Sequence, residues 1–160
     1  YFHGGTYIFW IATDATRQSG QIGCLGGFEA RIPAYPLEVV NTFLAVLDDA
    51  VAAYQALLDL GYARSLLWWL AVTVQGWIAA GAIAKLAVVG DTPLARLFYF
   101  SPLTDTTFCA HSFMSNAPLD LAQLAPGCDE MVQLYRVGHD FYYPWVSWVY
   151  VYFTGTSSVF

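Results

Sequence analysis

The clearest pattern of apolar positions lies between Leu37 and Leu60, where apolar side chains recur at steps of three and four residues. This spacing places them on one face of a helix, while the acidic and amide side chains fall largely outside that face. Gly61 follows directly and is suited to the left-handed residue that often ends a helix. The pattern predicts an amphipathic helix over 37–60, with a buried face formed by Val40, Phe43, Leu44, Leu47, Val51, Tyr54, Leu57 and Leu58.

A second pattern covers Leu66–Ala84, which contains no charged residue. Its first part, Leu66–Val74, is rich in Leu, Val and Trp, and the part from Gly76 onward is rich in alanine. A buried strand followed by a buried helix that ends near Val89 gives this profile. The length also meets the threshold for a membrane-spanning helix, which stays an alternative. Polar residues in the middle and the lack of basic clusters at the ends favour the strand and helix.

The rest of the chain alternates between further short elements. We expect a helix over Ile11–Ser19, a strand ending in FEARI within Gln21–Ile32, a strand over Ala95–Phe100, and short helices over Asp120–Leu124 and Asp129–Arg136. Alternation of strand and helix is the signature of an α/β fold. The fold class predicted is therefore α/β, with a mostly parallel sheet flanked by helices and Leu66–Ala71 as a central strand. No linker divides residues 1–160, so we expect a single domain.

Composition narrows the classes of function. The 160 residues are 58% hydrophobic and 11% charged, and six basic against twelve acidic residues give a net charge of −6. Without a basic run the chain has no surface suited to nucleic acid. The widely spaced Cys24, Cys109 and Cys128 suggest isolated thiols, although one bridge such as Cys24–Cys128 stays open.

The chain begins with Tyr1, and no targeting segment precedes it, so it has the character of a processed product or an excerpt. The compartment is therefore not determined. Cytoplasm and membrane association are the two locations that we retain.

The first candidate for chemistry is the tripeptide His3-Gly4-Gly5. A glycine pair between apolar segments is suited to a tight turn. The amides of such a pair also serve as oxyanion donors in the HGGG-type loops of lipases and esterases. The tripeptide alone leaves both interpretations open.

Several segments in order resemble the hormone-sensitive-lipase-like branch of the α/β-hydrolases, and the resemblance covers nearly the whole chain. Tyr1–Gly5 is similar to the strand end and oxyanion loop, Phe28–Val40 to the "YRLAPE" strand and loop, and Asp48–Tyr54 to the helix that follows. Ser101–Asp105, SPLTD, matches the SPWTD-like strand end. Further matches are Ser112, Asn116, Asp120 and the later YYPWVS.

The resemblance places Thr73 where the family has the nucleophilic serine of GDSAGG, because that turn aligns with AVTVQG, residues 71–76. Gln75 stands where the tight turn normally needs glycine, so we expect strain or a wider bend there. Gly90-Asp91-Thr92 looks more like GDS, but Pro93 removes the amide that would serve the oxyanion. His111 and His139 are interpreted as loop or packing residues, so no base is visible.

What the resemblance implies is a core fragment of an esterase or lipase. We expect it to lack the cap and first strands at one end and the acid- and histidine-bearing part at the other. Thr73 would hold the nucleophile position, Gly4, Gly5 and Val74 would donate to the oxyanion, and His3 would support that loop. The implied substrate is a carboxylic ester with apolar groups, hydrolysed weakly or not at all, and no metal or organic cofactor is implied.

Two other functions stay open. A non-catalytic descendant would bind an apolar small molecule in the same place, and a small membrane protein is the third hypothesis. Association with a membrane surface is compatible with the apolar composition, and the oligomeric state is not determined.

Overall fold

The computed structural model describes residues 1–2, 15–34, 43–72, 76–91, 96–119, 133, 138–143 and 147–150. The elements are α1 (Thr16–Gly26), α2 (Phe43–Asp59), β1 (Trp68–Val72), α3 (Gly76–Val88), β2 (Arg96–Phe100) and α4 (His111–Asn116). Short 3₁₀ turns cover Arg64–Leu66, Ala117–Leu119 and Trp148–Tyr150.

Strands β1 and β2 form a parallel sheet, and a bridge at Phe2 extends this sheet on the other side of β1. Within the sheet, Ala71 of β1 pairs with Tyr99 of β2. Ala71 also pairs in parallel with Phe2, whose amide donates to the carbonyl of Leu70 at 2.8 Å. Because one residue pairs on both sides, β1 lies between Phe2 and β2. The predicted parallel α/β fold, with a central strand at this position, is confirmed.

The apolar segment from residue 66 to residue 84 divides as the strand and helix interpretation predicts. Trp68–Val72 is a strand and Gly76–Val88 is a helix, so the segment is not one continuous helix. In the part of the chain that the structure describes, no helix has the length and apolarity needed to cross a membrane.

Helix α3 is buried on nearly all sides and forms the centre of the core. Its buried residues are Gly76, Trp77, Ile78, Ala79, Ala80, Gly81, Ala82, Ile83, Ala84 and Leu86. A methyl group at Gly81 would meet the Leu47 side chain of α2 at 2.5 Å and the Trp148 ring at 2.7 Å. An ion pair between Lys85 and Asp48 joins α3 to α2 at the exposed rim. Helix α3 is therefore packed between α2 and the 3₁₀ turn that contains Trp148.

The predicted strand within Gln21–Ile32 is wrong. Helix α1 continues to Gly26, and Phe28–Ile32 is irregular. The helix ends at Gly27, whose φ of 69° is left-handed, and the chain then folds back so that the Phe28 ring lies directly against Gly26. A side chain at Gly26 would block this contact, so the glycines that suggested an interrupted strand instead allow close packing against a helix end.

Other predictions are confirmed in part. Gly61 has a φ of 90° and follows α2 as predicted, although residues 37–42 of the predicted helix lie outside the described residues. Strand β2 confirms the predicted strand at Ala95–Phe100. The predicted helix over Ile11–Ser19 overlaps the start of α1, whereas α4 was not predicted. The short helices predicted over 120–124 and 129–136 lie outside the residues that the structure describes, apart from residue 133.

Tyr54 offers a test of the packing between α2 and β1. Its side chain is 1% exposed, its ring meets Trp69 edge-on at 6.0 Å, and its hydroxyl has no hydrogen-bond partner among the described residues. A buried hydroxyl without a partner costs about 1–3 kcal/mol. We therefore expect Tyr54→Phe to raise the free energy of unfolding by about 1 kcal/mol in urea denaturation.

The matched control for this prediction is Tyr62→Phe. The Tyr62 hydroxyl donates to Glu29 Oε2 at 2.8 Å and accepts from Arg31 Nη2 at 3.4 Å, so its removal should lower stability slightly or leave it unchanged. Loss of stability in Tyr54→Phe would show that its hydroxyl is hydrogen-bonded.

Candidate functional site

Three segments leave the sheet at one edge. Phe2, Val72 at the end of β1 and Phe100 at the end of β2 are neighbours, since Val72 pairs with Phe100 and its amide donates to the Phe2 carbonyl at 3.4 Å. In parallel sheets, ligands bind outside the carboxyl ends of the strands. The oxyanion-loop candidate, the nucleophile candidate and the SPLTD segment all directly follow these three residues.

The site residues predicted from the sequence lie outside the described residues. They are His3, Gly4, Gly5, Thr73 and Val74, together with Gln75. Their roles stay predictions, but both flanks of the nucleophile candidate are defined. Strand β1 ends at Val72 and α3 begins at Gly76, so only residues 73–75 connect strand to helix.

Gly76 lies where the backbone of α3 approaches the SPLTD segment. A methyl group built at Gly76 would lie 2.8 Å from Cβ of Pro102 and 3.4 Å from the Tyr99 ring. Cβ atoms in proteins essentially never make so short a contact, so a side chain at Gly76 would force the SPLTD segment or the helix start to shift. Burial raises the pKa of the Tyr99 phenol well above its ordinary value, so this ring stays neutral beside the helix start.

The loop from Ser101 to Phe108, which begins with SPLTD, has an unusual backbone conformation at both ends. Ser101 has a φ of 52° and Phe108 a φ of 50°, both in the left-handed region that is costly for residues other than glycine. Such conformations persist only where surrounding contacts impose them. The contacts in this loop centre on Asp105.

The Asp105 carboxylate connects the SPLTD segment to the distant turn at Ser147. Its Oδ1 accepts hydrogen bonds from the Thr107 amide at 2.9 Å, the Thr107 hydroxyl at 2.6 Å and the Ser147 hydroxyl at 3.3 Å. Ser147 is fully buried, and its Oγ also accepts from the Thr106 amide at 3.2 Å. The Trp148 amide donates to the Thr104 carbonyl at 3.0 Å, which fastens the same two segments a second time.

Two opposing effects act on the pKa of Asp105. Partial burial raises it, but the hydrogen bonds from Thr107, Cys109 and Ser147 favour the carboxylate and together lower the pKa below its ordinary value. A carboxylate whose pKa is lowered by folding stabilises the fold above its ordinary pKa, and this contribution is lost as pH falls through the lowered value. The carboxylate is therefore charged at neutral pH.

The histidines considered as bases lie on the surface. His111 is the exposed first residue of α4, and the exposed His139 stacks on the Tyr143 ring at 4.9 Å. Cys24 and Cys109 are exposed free thiols, while Cys128 lies outside the described residues. Within the described ranges, no three His, Cys, Asp or Glu side chains form a group that could hold a metal ion.

The link between Asp105 and Ser147 was missed by reasoning from the sequence. Both residues lie in segments that carry the family resemblance, SPLTD and YYPWVS, but the pattern gives no indication that the two are joined. A resemblance of separate motifs shows order along the chain, whereas their contact depends on packing between distant segments.

Comparison with known proteins finds similar proteins among the solved structures. No protein-family model and no curated protein matches the sequence. Among solved structures, a hormone-sensitive lipase from a metagenome library is similar at a TM-score of 0.92 and 29% identity, covering 99% of this chain and 55% of the other. A hormone-sensitive-lipase homologue, EstE7, from a metagenome library is similar at 0.91 and 29%, with the same coverages of 99% and 55%.

The esterase EstE5, in crystals soaked with p-nitrophenyl butyrate, is similar at a TM-score of 0.91 and 25% identity, covering 99% of this chain and 53% of the other. The chain thus spans little more than half the length of the structures that it matches. The parallel sheet, its flanking helices and these similarities define an α/β-hydrolase fold. Within that class, the chain is most usefully compared with hormone-sensitive-lipase-family esterases, to which it is similar over 99% of its length.

Proposed function

We propose that residues 1–160 form one α/β-hydrolase-like domain that carries the nucleophile and oxyanion side of an esterase-type site. The substrate class is a carboxylic ester with apolar groups. The observation that supports this best is the short connection from β1 to α3, which begins beside Phe2 at the carboxyl edge of the sheet. A nucleophile elbow is a tight strand-to-helix turn of this kind.

In the proposed chemistry, the Thr73 hydroxyl attacks the ester carbonyl, the ester C–O bond breaks, and the hydroxyl proton passes through a base to the departing alcohol. Water then hydrolyses the acyl-threonine and releases the acid. The amides of Gly4, Gly5 and Val74 donate to the oxyanion that forms, while His3 supports the loop. Threonine adds a methyl group beside the attacking oxygen and restricts its χ1 angle. Because neither His111 nor His139 has the surroundings of a base, we expect hydrolysis by this chain to be weak or absent.

A non-catalytic binding protein is the second candidate. It is favoured by Gln75, which occupies a position where the tight turn of an active enzyme normally needs glycine. The same apolar ester or a related small molecule would bind without turnover.

The test is hydrolysis of p-nitrophenyl butyrate by the purified chain and by Thr73→Ala. Loss of general-base assistance lowers a rate by about 10²–10⁴-fold, so we expect a rate close to background in both. Thr92→Ala is the matched control, because Thr92 belongs to the rejected GDT sequence.

A robust rate that Thr73→Ala abolishes and Thr92→Ala preserves would contradict weak hydrolysis and establish Thr73 as a working nucleophile. A robust rate that survives Thr73→Ala would overturn the proposed site. Labelling of Thr73 by a fluorophosphonate, located by mass spectrometry, would distinguish an enzyme from the binding protein.

A further inference from the structure

Asp105 lies where three parts of the molecule meet, namely the turn at Thr107, the segment at Ser147 and the loop that contains Pro102. Its carboxylate holds the Thr107 backbone amide and the Ser147 hydroxyl, and the residues just before it include Pro102. Pro102 in turn limits the space at Gly76, where a single added carbon would lie at 2.8 Å. The hydrogen bonds of Asp105 therefore act on a loop that presses against the start of α3.

The backbone strain supports this connection. Ser101 and Phe108 bracket the loop in left-handed conformations that neither side chain prefers. Without the bonds to Asp105, the loop keeps the bond from the Trp148 amide to the Thr104 carbonyl but loses contacts that oppose relaxation of its backbone, so we expect the distance from Pro102 to Gly76 to change. The rigid ring of Pro102 then transmits any displacement of the loop to the helix start, because there is no free space between the two.

We propose that Asp105 is a positioning residue, which fixes the start of α3 at Gly76 through the Ser101–Asp105 loop and its bond to Ser147. The inference rests on the proposed function, because the start of α3 follows the segment that holds Thr73. It adds that the geometry of this site depends on a carboxylate that contacts no substrate. The position of the start of α3 thus depends on two segments that are far apart in sequence, the loop at Asp105 and the turn at Ser147.

The experiment reads the Gly76 amide and the other α3 amides by NMR of the uniformly ¹⁵N-labelled full chain. Asp105→Ala should shift the Gly76 resonance and raise the hydrogen-exchange rate of the second-turn amides of α3, the first that bond within the helix, by about tenfold or more relative to its last turn. Asp105→Asn keeps an acceptor oxygen for the Thr107 amide, so it should restore most of the wild-type resonance position. This rescue separates a positioning role from simple loss of stability.

The matched control is Asp140→Ala. Asp140 also accepts an amide hydrogen bond two residues ahead, from Tyr142 at 2.8 Å. In the described part of the chain, the hydrogen bonds of Asp140 go to Tyr142 and Tyr143, so this variant should leave the Gly76 resonance unchanged. Equal shifts in Asp105→Ala and Asp140→Ala would overturn the proposal.

Ser147→Ala provides a second variant if Asp105→Ala does not fold. It removes one of the hydrogen bonds to Asp105 and should shift Gly76 in the same direction by a smaller amount. A folded Asp105→Ala or Ser147→Ala with an unchanged Gly76 resonance would overturn the proposal. Because the readout is an amide resonance, an absence of ester hydrolysis in wild type would count against the proposed function alone.

Discussion

Trp77→Ala is expected to lower the free energy of unfolding more than any other substitution proposed for this chain. Among the described residues, Trp77 is the largest fully buried side chain, at 1% exposure, and it lies in the first turn of the buried helix α3. Truncation of a buried tryptophan costs about 3–5 kcal/mol. Whole domains are stable by only about 5–15 kcal/mol, so this loss is at least a fifth of the free energy of unfolding. Far-UV circular dichroism and urea denaturation of the variant measure the effect.

Trp68→Ala is the matched control, because it makes the same chemical change on the sheet. Trp68 is 53% exposed and meets Phe98 and Phe28 with ring centroids at 5.7 Å and 6.2 Å. It should cost no more than about half as much as the buried replacement, since half of its surface already faces water. Equal losses from Trp68→Ala and Trp77→Ala would show that α3 is not the centre of the core.

Gly76→Ala is expected to destabilise the fold by about 1–3 kcal/mol, the usual cost of overpacking. Alanine is favoured over glycine in a helix by about 1 kcal/mol, so helix propensity alone predicts the opposite sign. The steric term should win because the obstructing atom at 2.8 Å is Cβ of Pro102, which belongs to a rigid ring. Thermal denaturation followed by circular dichroism gives the change.

The double variant Gly76→Ala with Pro102→Gly tests the cause of that loss. Removing the Pro102 ring should recover part of it, so the two changes should be non-additive. Gly20→Ala serves as the control, since a methyl group there meets nothing within 4 Å and should be neutral or stabilising. Additive effects of Gly76→Ala and Pro102→Gly would contradict the close approach as the cause.

The sequence predicted the centre of the fold well because the pattern there is local. The change from a Trp- and Leu-rich strand to an Ala-rich helix was predicted at Gly76, and the structure has the boundary within residues 73–75. The same apolar character also suggested a membrane span, because a helix buried on all sides by protein has the composition of one buried in lipid.

Prediction failed where conformation depends on contacts between segments. FEARI has the composition of a strand, but Phe28 packs against the end of α1 through a contact that only Gly26 permits. The link from Asp105 to Ser147 depends on the folded arrangement of the two segments, and no spacing rule indicates it. For the candidate site, Thr73 and the glycine loop were predicted from the sequence. The structure adds that the residues directly before them, Val72 and Phe2, are neighbours at the carboxyl end of the sheet.

The order of β1, α3 and β2 along the chain also has a consequence during synthesis on the ribosome. Strand β1 emerges first, but its partner β2 is made only after all of α3, since Trp68 pairs with Arg96. At about 5–20 residues per second, β1 waits roughly 1–6 seconds for its partner. Throughout that interval Trp68 and Trp69 lack β2, and α3 is complete only for its last part. The nascent chain therefore presents a tryptophan-rich strand to ribosome-associated chaperones before the sheet exists.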